Sequence, residues 1–210
     1  KNIADIRQEY TKSGLRESEL PCDPLSLFSR WLQEAIDANV EEHRIIVGTV
    51  SPEGRPSTRT VLLKGLHDGK FIFYTNYESR KGRQLAQNPY ISLSFVWHEL
   101  ERQVHIEGTA AKVSPEESDE ISEAPYKSRI GARISPQSQP IASRMQLIRA
   151  FVKEAARWLG KEVERPDNWG GYAVTPTRME FWQGRPNRLH DRFLYTLKTD
   201  GKWEINRLSP

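Results

Sequence analysis

Arg44-Ile45-Ile46-Val47-Gly48-Thr49-Val50, then Ser51-Pro52-Glu53-Gly54, then Ser57-Thr58-Arg59-Thr60-Val61-Leu62-Leu63-Lys64 is the stretch that sets the fold class. Two runs rich in β-branched and aliphatic residues flank a Pro/Gly turn, which reads as two strands joined by a short connection. Side chains alternate along a strand, so Arg59, Val61 and Leu63 face one way while Thr60, Leu62 and Lys64 face the other. Similar strand-like runs follow at 70–75, 91–97 and 102–110, with His67-Asp68-Gly69 as a second turn. The last forty residues return to strands at 171–174, 179–183, 192–197 and 202–206. Hairpin-length connections favour antiparallel pairing over βαβ units. The expectation is a mainly β fold of about six to nine short strands with flanking helices, closed into an antiparallel barrel.

Helices are few. Asp23-Pro24 reads as an N-cap with proline in the first helical position. Phe28, Trp31, Leu32, Ala35 and Ile36 then recur at helical spacing, predicting an amphipathic helix over 24–39. Ser79 caps a short helix that runs to Gln87 and ends at Asn88-Pro89. A longer helix is expected over about 144–159, with Met145, Ile148, Phe151, Val152, Ala155 and Leu159 on one face. Residues 114–140 are polar and show no clear period. Residues 1–22 read as a mobile arm, and 23–210 as a single domain.

Bulk properties narrow the class. The chain has 210 residues, enough for one sizeable core. With 37% hydrophobic residues and a mean hydropathy of −0.69, it reads as a soluble protein. No stretch approaches the ~20 apolar residues of a membrane span, and Lys1-Asn2-Ile3-Ala4-Asp5 lacks the apolar core of a secretory leader. The one cysteine, Cys22, excludes an internal disulfide framework and fits a reducing cytoplasm. A net charge of +3, with acids and bases interspersed, does not argue for nucleic acid. Arginine outnumbers lysine 20 to 11, which favours specific anion recognition over a diffuse basic field.

Five segments bear chemistry. Lys64 ends an apolar strand, a position that suits snorkelling as well as ligand contact. In Tyr74-Thr75-Asn76-Tyr77-Glu78-Ser79-Arg80-Lys81, hydroxyls at a strand end precede a helix start bearing two cations. Free N–H groups there bind anions, and cations in a first turn oppose the helix dipole unless an anion compensates. Ordinary surface charge is the alternative. Gln103 and His105 share one face of a strand, either as ligand contacts or as a solvent-facing polar row. Gln137 and Ser138 lie in a polar loop that either binds a polar ring or simply connects elements. Finally, Glu180 to Phe193 packs three arginines, a histidine and a tryptophan into fourteen residues. If 188–192 is extended, Arg188, His190 and Arg192 project together, as suits an anionic ring or a solvated basic edge. Nucleotide-binding glycine motifs, H-E-x-x-H and G-x-S-x-G are absent, and the five histidines lack metal-ligand spacing.

Taken together, these segments resemble the pyridoxamine 5′-phosphate oxidase family nearly end to end. The likeness runs through Arg7-Gln8-Glu9-Tyr10, Asp23-Pro24-Leu25, Arg59 to Lys64, Tyr74 to Lys81, Glu101 to Gly108, Gln137-Ser138, Trp169-Gly170-Gly171-Tyr172, Glu180 to Phe193 and the closing Arg207-Leu208-Ser209-Pro210. The resemblance implies an FMN-binding split β-barrel that forms a homodimer with two flavin sites at the interface. Residues 165–210 would carry the dimerisation and substrate segment. Arg59, Arg80 and Lys81 would hold the FMN phosphate with Tyr74 and Thr75 nearby. Thr60, Val61, Leu62 and Leu63 would lie along the isoalloxazine, with Lys64 turned to the substrate phosphate. Gln103, Gln137, Ser138, Trp182 and Arg192 would complete the flavin site. Arg188 and His190 would hold the substrate ring as the catalytic pair, Ser128 would contact its phosphate, and Arg7 and Tyr10 would close above. The implied reaction oxidises pyridoxamine or pyridoxine 5′-phosphate with O2, releasing H2O2.

One departure stands out. Where the family reads Tyr-Phe-His-Ser-Arg-Pro, this chain reads Glu120-Ile121-Ser122-Glu123-Ala124-Pro125. The family's phosphate-binding arginine falls at Ala124, and its tyrosine at Glu120 or Ile121. A lost charge-assisted contact is worth roughly 1.5–3 kcal/mol. Tyr126, Lys127, Arg129 and Arg133 are the nearby candidates to replace it. The departure also leaves two rivals: an oxidase of the same fold acting on another anionic ring of the phenazine type, and a non-catalytic FMN or pyridoxal-phosphate carrier.

Overall fold

The computed structural model describes residues 10, 14–40, 43–120, 126–134 and 136–210. Eight antiparallel strands form one sheet: β1 (Arg44–Val50), β2 (Pro56–His67), β3 (Lys70–Asn76), β4 (Tyr90–Trp97), β5 (Arg102–Lys112), β6 (Trp169–Gln183), β7 (Asp191–Leu197) and β8 (Trp203–Arg207). Their order is β3-β2-β1-β4-β5-β6-β7-β8, and a further β3–β6 pairing closes the first six into a barrel. Strands β7 and β8 extend the sheet from the second half of β6. The expected barrel is present.

Alternation explains the core. In β1, Ile45 and Val47 point inward and are fully buried, as do Leu93 and Phe95 of β4 and Val104 of β5. Helix α1 (Pro24–Asp37) starts where expected, with Asp23 accepting from the N–H groups of Leu25 and Ser26. It lays Leu27, Phe28 and Trp31 on the barrel, where Phe28 meets Phe71 and Phe95 edge-on at 4.9 Å each. Each such side chain contributes about 1.5–3 kcal/mol by leaving water. Helix α2 (Arg80–Gln87) lies at the other end, beyond Asn76 of β3, and Gln84 accepts from Thr49 and Ser57 there.

One expectation is corrected and two are filled in. The strands expected at 171–174 and 179–183 are one strand, β6. Pro176 does not end it, because the ladder to β5 shifts register between Glu107 and Gly108, opposite the proline. A bulge there tolerates the missing N–H, and Gly108 lets the Thr175 carbonyl approach where a Cβ would collide. The unreadable stretch 114–140 holds two short helices, α3 (Pro115–Glu120) and α4 (Tyr126–Ile134). The long helix α5 (Arg144–Arg157) forms, but its apolar stripe is exposed: Val152 keeps 61% of its surface.

Of the arm expected over 1–22, the stretch from Gly14 packs against β7. Leu15 is buried and its N–H donates to Asp191, while Tyr195 donates to the Pro21 carbonyl at 2.9 Å. Among the described residues, no helix is long and apolar enough to cross a membrane.

Candidate active site

Three cations gather where β2, β3 and α2 meet. Arg59 points from β2 to the inner side and donates to the Val47 carbonyl, to Thr49 Oγ1 at 2.7 Å and to Ser57 Oγ at 2.9 Å. Lys81 lies in the first turn of α2 with only 8% of its surface exposed. Its ammonium donates to Thr75 Oγ1 at 2.8 Å and Ser79 Oγ at 3.4 Å. Ser79 also caps the helix, accepting from Gly82 N. Among the described residues, neither Arg59, Arg80 nor Lys81 has a carboxylate partner. Burial, reinforced by the charge of Arg59, pushes Lys81 down to about 8. Burial and then the charge of Arg80 also draw Arg59 below its usual value. Like charges without carboxylate partners among the described residues, one of them buried, at a helix N-terminus make a site for a multivalent anion. The expected grouping of Arg59, Thr75, Arg80 and Lys81 is therefore found, and a flavin phosphate fits it.

Beside this end, the barrel's outer surface is built in rows. Register places Thr60, Ile46, Ser94, His105, Glu180 and Leu194 side by side across β2, β1, β4, β5, β6 and β7. The adjacent row carries Val96, Gln103, Trp182 and Arg192. Thr60, Leu62 and Lys64 are exposed on β2, while Val61 and Leu63 turn towards the core. Only alternate residues of 60–63 can thus meet a ring with their side chains; the others offer backbone.

A second cluster stands at the start of β7. Tyr10, Trp182 and His190 form a triangle of rings, with Trp182 and His190 at 4.7 Å and Tyr10 edge-on to both. His190 Nδ1 accepts from the Arg185 backbone N–H at 3.1 Å. That nitrogen therefore carries no proton, and in the neutral ring the hydrogen sits on Nε2. Burial, then the charge of Arg188, lowers the His190 pKa against the opposing pull of Asp191. In that tautomer Nε2–H is the ring's available donor.

The expectation that 188–192 is extended is corrected. Pro186 opens a single 3-10 turn, and both Asn187 and Arg188 take positive φ (58° and 62°) before β7 begins at Asp191. Arg188 thus leaves the face shared with Arg192 and stands exposed beside His190. Left-handed backbone at two non-glycine residues costs energy that functional sites characteristically store. Arg192 is already engaged: it donates to Glu180 at 2.8 Å and to the Ser209 carbonyl.

Other expected residues lie apart. The Tyr74 side chain faces away from Thr75 and donates to the Glu117 carbonyl, lining a cleft of about 660 Å³ with Lys70 and Lys112. Gln137 and Ser138 hydrogen-bond to neither cluster; Ser138 has φ 66°, and Gln137 Oε1 is buried without a partner. Ser128 is exposed on α4. Arg133 does not await a ligand, since it donates to Glu154 and the Glu164 carbonyl and covers the Trp158 ring. Arg129 lies beside Glu162 and the Val163 carbonyl. Expectations on Arg7, Ile121 and Ala124, and on the side chains of Glu120, Tyr126 and Lys127, fall outside the described residues. Sequence reasoning placed Ser79 in the anion cradle only as part of a helix start, and missed Thr49, Ser57 and Ser94. Their hydroxyls are assembled by tertiary pairing, and only Ser79, as a cap, carried a local signal.

The family model described as pyridoxamine 5′-phosphate oxidase matches residues 32–162. A second, described as the pyridoxine 5′-phosphate oxidase C-terminal dimerisation region, matches residues 169–210. The pyridoxine/pyridoxamine 5′-phosphate oxidase of Bacteroides thetaiotaomicron is 96% identical over 212 aligned positions, covering 100% of each chain. That of Bacteroides fragilis is 74% identical over 211, covering 100% of this chain and 90% of its own. Among solved structures, PhzG from Burkholderia lata, in complex with tetrahydrophenazine-1-carboxylic acid, superposes with a TM-score of 0.89 at 29% identity. The match covers 97% of this chain and 100% of that one.

Proposed function

The chain belongs to the pyridoxamine 5′-phosphate oxidase family, and from that premise we propose that it is an FMN-dependent oxidase producing pyridoxal 5′-phosphate. Its substrates are pyridoxamine or pyridoxine 5′-phosphate, with O2 as acceptor and H2O2 as product. The observation that carries the cofactor assignment is the buried Lys81 ammonium, held among the described residues only by hydroxyls, beside two further cations. Bound FMN would supply the two-electron redox chemistry that couples oxidation at substrate C4′ to reduction of O2.

The protein's own work is positioning and electrostatics. Arg59, Arg80 and Lys81 neutralise the cofactor phosphate, and Thr75 and Ser79 orient the ammonium. Thr60 and Leu62 offer an exposed strand face to the flavin ring. Gln103, Trp182 and Arg192 line the adjoining row, and Lys64 extends from β2 towards the substrate phosphate. Arg188 and His190 hold the substrate, with the neutral Nε2–H donating to a substrate oxygen and Tyr10 covering the ring from above. Gln137 and Ser138 reach the cofactor from a second copy of the chain, which accounts for their separation from the cation cluster here. The active form is then a homodimer with two shared sites. Its compartment is a reducing cytoplasm, where exposed Cys22 stays a thiol.

The test is O2-dependent formation of pyridoxal 5′-phosphate by FMN-loaded protein, with both phosphorylated substrates over a wide concentration range. Turnover with stoichiometric H2O2 is expected. Bound flavin without turnover on either substrate would reject the reading. Oxidation of a tricyclic carboxylate instead would favour the phenazine-type alternative that the likeness to PhzG keeps in view, and bound flavin with no oxidation at all would leave the carrier role.

A further inference from the structure

We propose that His105 is a positioning residue that fixes the amide of Gln103 with its NH2 group turned to the bound flavin ring. The inference rests on the FMN reading above. His105 stands in the outer row between Ser94 and Glu180, half-buried, with its two ring nitrogens engaged differently. Nδ1 lies 3.0 Å from Ser94 Oγ, and Nε2 lies 3.1 Å from Gln103 Oε1. An amide oxygen only accepts, so Nε2 must carry the hydrogen; Nδ1 then accepts from the serine hydroxyl. The chain Ser94–His105–Gln103 has one polarity.

That polarity decides which end of Gln103 a ligand meets. With Oε1 occupied by His105, the amide nitrogen is left with its hydrogens, and among the described residues none accepts from it. Gln103 shares a small cleft with Tyr10 and Trp182, so this free donor belongs to the site and not to the bulk surface. A flavin ring edge is rich in acceptors, and an amide turned the other way would set lone pair against lone pair. The arrangement also survives protonation. A doubly protonated His105 still donates from Nε2 to Gln103, while Ser94 changes from donor to acceptor. The Glu180 carboxylate and the Arg192 guanidinium face the same ring and oppose one another in their effect on it.

Glutamine at position 105 can reproduce an Nε2–H donor, whereas asparagine reaches only as far as Nδ1. The experiment titrates apo-protein with FMN, following flavin fluorescence and the visible absorption bands of the bound flavin. It uses wild type, H105Q, H105N and H105L, each also in a Q103A background. One net hydrogen bond is worth about 1 kcal/mol, so H105L and H105N are expected to weaken FMN roughly five- to ten-fold and shift the bands. H105Q should restore both, and H105L should have no further effect once Gln103 is gone. Equal losses in all three variants, accompanied by a lower apo-protein melting temperature, would reduce His105 to a packing residue and overturn the proposal. Unchanged affinity in every variant would overturn it too. Failure of wild type itself to bind FMN would instead bring down the cofactor reading, and this proposal with it.

Discussion

Lys81 carries its charge into a place where most of its water is gone, and the Thr75 and Ser79 hydroxyl oxygens replace it. Its pKa falls from 10.5 to about 8 in the folded chain. Between those two values the unfolded state binds more protons than the folded one, so this residue makes apo-protein stability rise with pH across that window. Below about pH 8 the lysine is charged in both states and the folded state bears the full cost of burying it. A bound phosphate relieves that cost by favouring the ammonium. FMN affinity is therefore expected to be flat up to about pH 8 and then to fall, by at most about ten-fold per unit, because the lysine must be reprotonated on binding. Lys81→Met should bind FMN roughly ten- to a hundred-fold more weakly at pH 7, having lost a charge-assisted contact. It should also lose the decline above pH 8. Fluorescence titrations from pH 7 to 9.5 read both effects; the same decline in the variant would assign the titration to another group.

At the scale of elements, Arg133 illustrates how a surface-looking cation can belong to packing. It joins α4 to α5 through Glu154, reaches the Glu164 carbonyl and lies 4.6 Å over the Trp158 ring. Arg133→Ala should lower stability by about 1–2 kcal/mol through these partners, while leaving KM for pyridoxamine 5′-phosphate unchanged. A melting curve and a steady-state assay on the same preparation decide it, and a raised KM would return Arg133 to the phosphate site. This also explains what could be read in advance. Strands β1 to β5 were legible because alternation over a barrel wall is a local signal, and α1 and α2 because Asp23 and Ser79 announce their caps. Helices α3 and α4 were not, because they are short and polar and their partners lie far along the chain, Arg165 for Asp119 and Glu154 for Arg133. The residue types of the site were equally legible. Its geometry was not: the turn at Asn187 and Arg188 needs two successive left-handed residues, which asparagine tolerates but arginine does not signal, and the hydroxyls around Arg59 meet only once β1 and β2 pair.

For the molecule as a whole, the unfinished feature is α5. Met145, Ile148 and Val152 follow one helical stripe and remain 52%, 44% and 61% exposed, and Leu159, just past the helix end, is 80% exposed. Contiguous apolar surface of this kind marks a contact face. The loop that leads into α5 carries Gln137, whose side-chain oxygen is buried without a partner, and Ser138. Ile46 on β1 and Leu62 on β2 add exposed apolar surface around the strand face offered to the flavin. A ring lying there would be covered on one side only by a single chain. All three observations are met if a second copy brings its 136–143 loop over the first copy's β2 while the α5 stripe is buried. Ile148→Asp with Val152→Asp is expected to convert the dimer to monomer in sedimentation velocity. It should also cut FMN affinity at least ten-fold, since each site would lose the residues supplied by the other chain; a single desolvated carboxylate already costs several kcal/mol. Circular dichroism of the variant checks that the barrel stays folded. A folded variant that remains dimeric and holds FMN as tightly as wild type would separate α5 from the interface. A monomeric variant with undiminished FMN affinity would place the whole cofactor site within one chain.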